Sequence, residues 1–118
     1  MVERGLRMVE RKSGRVLMPR VNVAKSLMER TVGLLGREGL NEGEGLYFPN
    51  CSSIHMFFMK FAIDVVYFDS SKRVTKVVKQ LRPWRVSWCP GAQSVLEAPA
   101  GWTDETQIMC GIQVMFRQ

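Results

Sequence analysis

Asp64 lies inside the most apolar block of the chain, Ile54-His55-Met56-Phe57-Phe58-Met59-Lys60-Phe61-Ala62-Ile63-Asp64-Val65-Val66-Tyr67-Phe68-Asp69, and the single histidine, His55, opens the same block. A stretch of that composition is expected to be buried. A buried carboxylate must be paired, stay protonated or be put to use. In a partly buried pocket Asp64 could act as a general base or hold a ligand. Two structural roles compete with that one. Asp64 could pair with Arg30 or Arg37, or accept backbone N–H groups at a β-bulge. Glu97, in Val95-Leu96-Glu97-Ala98, is the matching acid towards the other end of the chain. Two carboxylates brought together would share a proton and could work as an acid and a base. Asp64 with His55 or Glu97 is thus the set that a small hydrolase or isomerase would use.

A metal site would need His55 with Cys51, four positions earlier, completed by Cys89 or Asp64. No Cys-x-x-Cys pair supports it, and neither a metal nor a cofactor is expected. A Cys51–His55 nucleophile pair fails on reach, since four residues of strand separate the side chains by about 13 Å. The run Lys79-Gln80-Leu81-Arg82-Pro83-Trp84-Arg85-Val86-Ser87-Trp88 interleaves cations with aromatic rings. Trp84 could stack on a base or a sugar face, with Arg82 and Arg85 holding phosphate or carboxylate. Trp88 and Trp102 could extend that rim; alternatively, one tryptophan plugs the end of the fold. Phosphate-loop and dinucleotide glycine patterns are absent, as are the signatures of helix-turn-helix, zinc-finger and ribonucleoprotein domains.

These side chains need a scaffold, and 118 residues provide for one domain over residues 1–118 with one ordinary core. Residues 1–5 are expected to be a flexible end. The composition, 46% hydrophobic and 24% charged, is that of a globular protein. No stretch approaches the roughly 18 apolar residues of a spanning helix. The first residues lack the apolar region of a secretory leader. The three cysteines, Cys51, Cys89 and Cys110, are odd in number and widely spaced, which points to a reducing, cytoplasmic location. Most of the eight methionines are expected to fill the core.

Charge is unevenly distributed. The net charge is +6, with nine Lys/Arg against three Glu in residues 1–37, and six Lys/Arg with no acid in residues 72–85. If the two basic stretches meet in space they make one face suited to anions: nucleic acid, acidic polysaccharide or phosphorylated lipid. If they do not, the cations simply decorate solvent-facing strands.

Alternation predicts strands at Leu6–Glu10, Arg15–Val23, Leu46–Phe48, 54–59, 61–69, Arg73–Leu81, Val95–Glu97 and Ile112–Phe116. Lys12-Ser13-Gly14 turns an opening hairpin, and residues 61–81 form a long second one with a basic edge. The period changes only over residues 24–36, where Leu27, Met28, Leu34 and Leu35 mark a helix. Thr103-Asp104-Glu105-Thr106 suits one helical turn capped by Thr103.

Glu29-Arg30-Thr31-Val32-Gly33-Leu34-Leu35-Gly36-Arg37, then Glu44-Gly45-Leu46-Tyr47-Phe48, then the block from Ile54 to Asp69, then Ser94-Val95-Leu96-Glu97-Ala98-Pro99-Ala100-Gly101 occur in an order and spacing that resembles the domain-of-unknown-function one-ninety-two family of small prokaryotic domains. The resemblance covers about residues 15–116. The commonest form of that family has a Trp-Met pair, then polar Asn and Thr before the aspartate; this chain reads Phe58-Met59, then Phe61-Ala62, closer to a branch with phenylalanines and a histidine. The resemblance implies a mainly β sandwich-like or barrel-like domain with one packed helix, and no established activity. The strand tally gives the same class, a compact, mostly antiparallel β-sandwich or barrel. The expected function is a binding module without catalysis of its own. Its ligand would be an anionic or carbohydrate-like molecule, or an acidic partner surface, held by Arg30, Arg37, His55, Asp64, Arg82, Trp84 and Arg85. The alternatives are the acid/base enzyme above and weak nonspecific binding of nucleic acid.

Overall fold

Alternating apolar segments separated by glycine, proline and asparagine turns pair into two sheets. The computed structural model describes residues 3–24, 26 and 39–118. Among them are β1 (Glu3–Glu10), β2 (Val16–Val23), β3 (Glu44–Pro49), β4 (Ser53–His55), β5 (Ile63–Phe68), β6 (Val74–Leu81), β7 (Val86–Trp88), β8 (Ser94–Pro99), α1 (Trp102–Thr106) and β9 (Val114–Arg117). The large sheet has the order β6-β5-β8-β3-β2-β1-β9, and β4 and β7 form a separate ribbon. The fold is therefore mainly β, as expected. The large sheet is mixed, because β2 and β3 run parallel. Parallel neighbours need a crossover of a dozen residues or more, which residues 24–43 provide. The helix expected at 24–36 falls on this crossover and, apart from residues 24 and 26, lies outside the described residues. The sheet does not close into a barrel. Its edge strands approach at one isolated bridge, Arg73↔Gln113.

Every residue of β5 is buried, and its alternation feeds two separate cores. Val66, Phe68, Leu96 and Ala98 pack on one side with Met8, Met18, Val21 and Trp102. Ile63, Val65, Tyr67 and Val95 pack on the other with Phe48, Ile54, Met56 and Met59. A strand covered on both faces reads as a continuous apolar run, which accounts for the block around Asp64. Each large side chain so buried contributes about 1.5–3 kcal/mol. The methionines divide between roles: Met8, Met18, Met56 and Met59 are core, whereas Met109 and Met115 are exposed.

Gly45 lies on β3 opposite Val21 of β2, with side chains of β2 and β8 packed close over it. A Cβ there would lie 3.1 Å from Met18 Cε and 3.2 Å from Leu96 Cδ1. Trp102 is the plug of the first core; it is buried, and its Nε1 donates to the Leu17 carbonyl at 2.8 Å.

The ribbon is tied to the large sheet by Tyr67, whose hydroxyl donates to Ser87 Oγ at 2.9 Å. Burial pushes the Tyr67 hydroxyl up to about 12; the Ser87 bond opposes this, and Cys51, Cys89 and Glu97 nearby add to it. The unfolded chain releases this proton near the ordinary value of 10.0, and the folded chain holds it to about 12. The associated stability is full below pH 10.0 and lost as pH rises through about 12. Urea unfolding compared between about pH 9 and about pH 11 is expected to show an alkaline loss that Tyr67→Phe diminishes. An equal loss in both proteins would assign it to other groups.

Candidate functional site

Asp64 is fully buried, and hydrogen-bond donors surround its carboxylate. Oδ1 accepts the Gln80 N–H at 2.9 Å. Oδ2 accepts the Gly101 N–H at 3.1 Å, the Thr103 N–H at 2.9 Å and the Thr103 hydroxyl at 2.7 Å. Gln80 belongs to a bulge: β5 advances from Ile63 to Val65 while β6 goes from Leu81 to Val78, and Gln80 has φ 51°. The bulge leaves an N–H with no ladder partner, and Asp64 takes it. Gly101 and Thr103 open α1, whose first N–H groups also need acceptors, and Asp64 caps them from across the fold. Beside it, Asp104 holds Lys79 at 2.6 Å and raises the ammonium above its ordinary value, chiefly through that hydrogen bond.

The strand register decides the carboxylate pair. Asp64 lies opposite Ala98, and Val65 lies opposite Glu97. Consecutive side chains point to opposite faces of a sheet, so the Asp64 and Glu97 carboxylates are on opposite sides of it. The paired acid/base arrangement is not formed. Glu97 is fully buried on the Tyr67 side.

His55 stands with a different group of residues. On the ribbon, Ser53 pairs with Trp88 and His55 with Val86 facing outward, while Ile54 and Ser87 turn to the core. Residues 56–62 form a loop, not the expected strand extension over 54–59. Met56 is the anchor: its N–H donates to the Arg85 carbonyl at 2.7 Å, and its carbonyl accepts the N–H groups of Trp84 and Met59. With Met56 and Met59 both buried, Phe57 and Phe58 are thrown outward, 40% and 64% exposed. The His55 and Phe57 rings stack at 4.7 Å between centroids; Phe57 to Trp84 is 5.9 Å and Phe58 to Trp84 is 5.0 Å. His55 Nδ1 accepts the Phe57 N–H. Trp84 and Trp88 are each 59% exposed, and Val86 is half exposed between them. Arg82 and Arg85 are exposed beside the rings.

The structure thus brings together His55, Arg82, Trp84 and Arg85, and it separates Asp64 from them in the interior. Arg30 and Arg37 lie outside the described residues. Trp88 joins the ridge; Trp102 does not, being the core plug. Cys51 donates its thiol to the Ser53 carbonyl, and Cys89 contacts Thr75, so neither is drawn to His55. No cluster of His, Cys, Asp and Glu suited to a metal occurs among the described residues. Phe57, Phe58 and Val86 are the outward residues that the sequence reading missed. The spacing of Met56 and Met59 carries the signal, because residues three apart share one side of a turn but not of a strand.

Replacing one Asp64 oxygen by an amide sets N–H against N–H in the interior. Asp64→Asn is expected to cost about 2–4 kcal/mol, on the order of 10 °C in Tm. Thr103→Ala removes one of the four bonds and is expected to cost about 1 kcal/mol. Thermal unfolding followed by circular dichroism measures both; an unchanged Asp64→Asn Tm would release Asp64 from this structural role.

Residues 8–116 match the model of the DUF192 family, Uncharacterized ACR. A UPF0127 protein of Thermococcus sibiricus is 33% identical over 113 residues, covering 91% of this chain and 72% of that protein. A UPF0127 protein of Pyrococcus abyssi is 34% identical over 103 residues, covering 80% and 84%. Two solved structures share the fold. One, a protein of unknown function from Novosphingobium aromaticivorans, matches with a TM-score of 0.75 at 22% identity, over 97% of this chain and 84% of that one. The other, a putative transcription regulator from Sinorhizobium meliloti, matches with a TM-score of 0.78 at 19% identity, over 98% and 94%. No helix among the described residues is long and apolar enough to cross a membrane. With a family match running nearly from end to end and relatives one-third identical over most of its length, the chain belongs to the DUF192 family.

Proposed function

We propose that this protein is a binding module whose ridge of rings, His55, Phe57, Phe58, Trp84 and Trp88, receives an acidic carbohydrate chain. The observation that carries the reading is a cluster of solvent-facing rings held together on a tight, hydrogen-bonded turn. Phe58 and Trp84 have φ of 66° and 68°, a region that bulky residues avoid. Each such residue costs on the order of 1–3 kcal/mol; the turn seats Met56 and Met59 in the core, while the Phe58 and Trp84 rings themselves face solvent. The flat ring faces suit the apolar C–H face of a sugar. Arg82 and Arg85 supply the charge that would select carboxylated sugars and take them in a bidentate fork. Asp64 supports a binding rather than a catalytic reading, since its oxygens are committed to four donors in the interior.

Calorimetric titration with oligogalacturonate tests this, using its methyl-esterified form as the uncharged comparison. Trp84→Ala, and separately the Arg82→Ala/Arg85→Ala pair, are expected to weaken binding by about tenfold, equivalent to about 1.4 kcal/mol. The esterified oligomer should bind more weakly than the acid. Unchanged affinity in both variants would exclude the ridge as the binding surface. Tighter binding of single-stranded DNA than of oligogalacturonate, falling steeply with salt, would assign the ridge to nucleic acid instead.

A further inference from the structure

A second basic region lies at the other end of the β5–β6 hairpin. Arg82 follows β6 and Arg73 precedes it, and eight residues of strand put about 26 Å between the two ends. At the Arg73 end an open cleft of about 540 Å³ is lined by Arg11, Lys12, Arg73, Glu10, Met109 and Cys110 together with residues 111–113. That volume falls within the roughly 300–1,000 Å³ usual for small-molecule sites.

Arg11 and Lys12 belong to the first basic stretch of the sequence and Arg73 to the second, so the two meet here. Three cations face one carboxylate, and that carboxylate is already engaged: Glu10 Oε1 accepts the Ser13 hydroxyl at 2.7 Å and lies 3.9 Å from Arg15 Nε. Asp69, the acid next to Arg73, uses Oδ1 on the N–H groups of Ser71 and Arg73. Among the described residues neither Arg11, Lys12 nor Arg73 forms an ion pair. The floor is laced to both sheet edges. Arg11 N–H donates to the Gln113 carbonyl, Val74 N–H to the Ile112 carbonyl, Gly111 N–H to the Val74 carbonyl, and Val114 N–H to the Lys72 carbonyl. Arg73 Nη1 is steadied by the Gly111 carbonyl at 3.3 Å, which leaves its other donors for a ligand. The cations are thus held around a prepared concavity and not spread on a convex surface, which favours a compact anion.

We propose that this cleft is a binding site for a small phosphate-bearing polyanion, separate from the aromatic ridge and independent of what the ridge binds. Each phosphate would take charge-assisted hydrogen bonds from Arg11 and Arg73, with Lys12 as a third cation.

The probe is inorganic tripolyphosphate, titrated into the full chain by calorimetry and by amide chemical-shift mapping. The expected result is saturable binding with shifts confined to residues 10–12, 73 and 109–113. The Arg11→Gln/Lys12→Gln pair, whose side chains make no hydrogen bond among the described residues, is expected to weaken it by about tenfold or more. Lys60→Gln/Arg117→Gln removes the same net charge elsewhere and should leave the affinity within about twofold. Equal weakening by both pairs, or shifts spread over the whole surface, would reduce the effect to net charge and overturn the site. Absence of saturable tripolyphosphate binding would overturn it too, as would capture by phosphatidic acid vesicles without any response to the soluble probe.

Discussion

The interior carboxylate of Asp64 is the constraint on which the surrounding structure depends. A charge with no water must find donors, and it finds them in two segments that share no ladder hydrogen bond: the bulge at Gln80 and the start of α1. Both segments have backbone N–H groups that would otherwise be orphaned. One side chain therefore meets the requirements of three places at once, and the three become fixed relative to one another. The bulge that Asp64 satisfies stands two residues before Arg82, where the chain leaves β6 for the ridge. The acid is buried whereas the rings are exposed, and it holds the bulge from which the segment carrying Trp84 departs. The first helical turn, in the same way, delivers Trp102 into the core with its indole N–H on Leu17.

A sheet buried on both sides divides the labour of the fold. The side of Val66 and Phe68 holds the plug and the sheet's own curl; the side of Val65 and Tyr67 holds the ribbon. The exposed rings stand on the ribbon and its loops, which touch the large sheet through Ile54, Met56, Met59 and the Tyr67–Ser87 bond. Surface carried on a small, separately hydrogen-bonded unit can change in sequence without disturbing the pairing of the central strands.

Much of this architecture is legible in the residues. Alternation finds the opening hairpin and the long hairpin of β5 and β6, because each closes over a short turn with its chemistry written locally. The bulge role of Asp64 is legible as a possibility, since a lone acid in a strand has few other uses. Its donors are not, because Gly101 and Thr103 lie 37 and 39 residues away and contribute two backbone N–H groups, which every non-proline residue has, beside the one Thr103 hydroxyl. Phe57 and Phe58 mislead for the opposite reason. Hydropathy assigns them to the core, whereas the Met56–Met59 turn decides the direction in which they point. Glu97 and Asp64 read as a possible pair until the register of β5 against β8 is known, and a shift of one position separates or unites them.

The parallel seam between β2 and β3 carries a consequence for how the chain assembles. Antiparallel hairpins such as β1–β2 and β5–β6 close loops of a few residues, whereas β2 and β3 are separated in sequence by residues 24–43, and β9 reaches β1 only after nearly the whole chain. Closing a loop costs chain entropy that grows with the logarithm of its length, and contacts that follow the closure must repay it. The tight fit of Gly45 between Met18 and Leu96 is such a repayment, available only once three strands distant in sequence have met. The seam thus joins the local hairpins into one topology, and the missing side chain at position 45 lets them meet at close range.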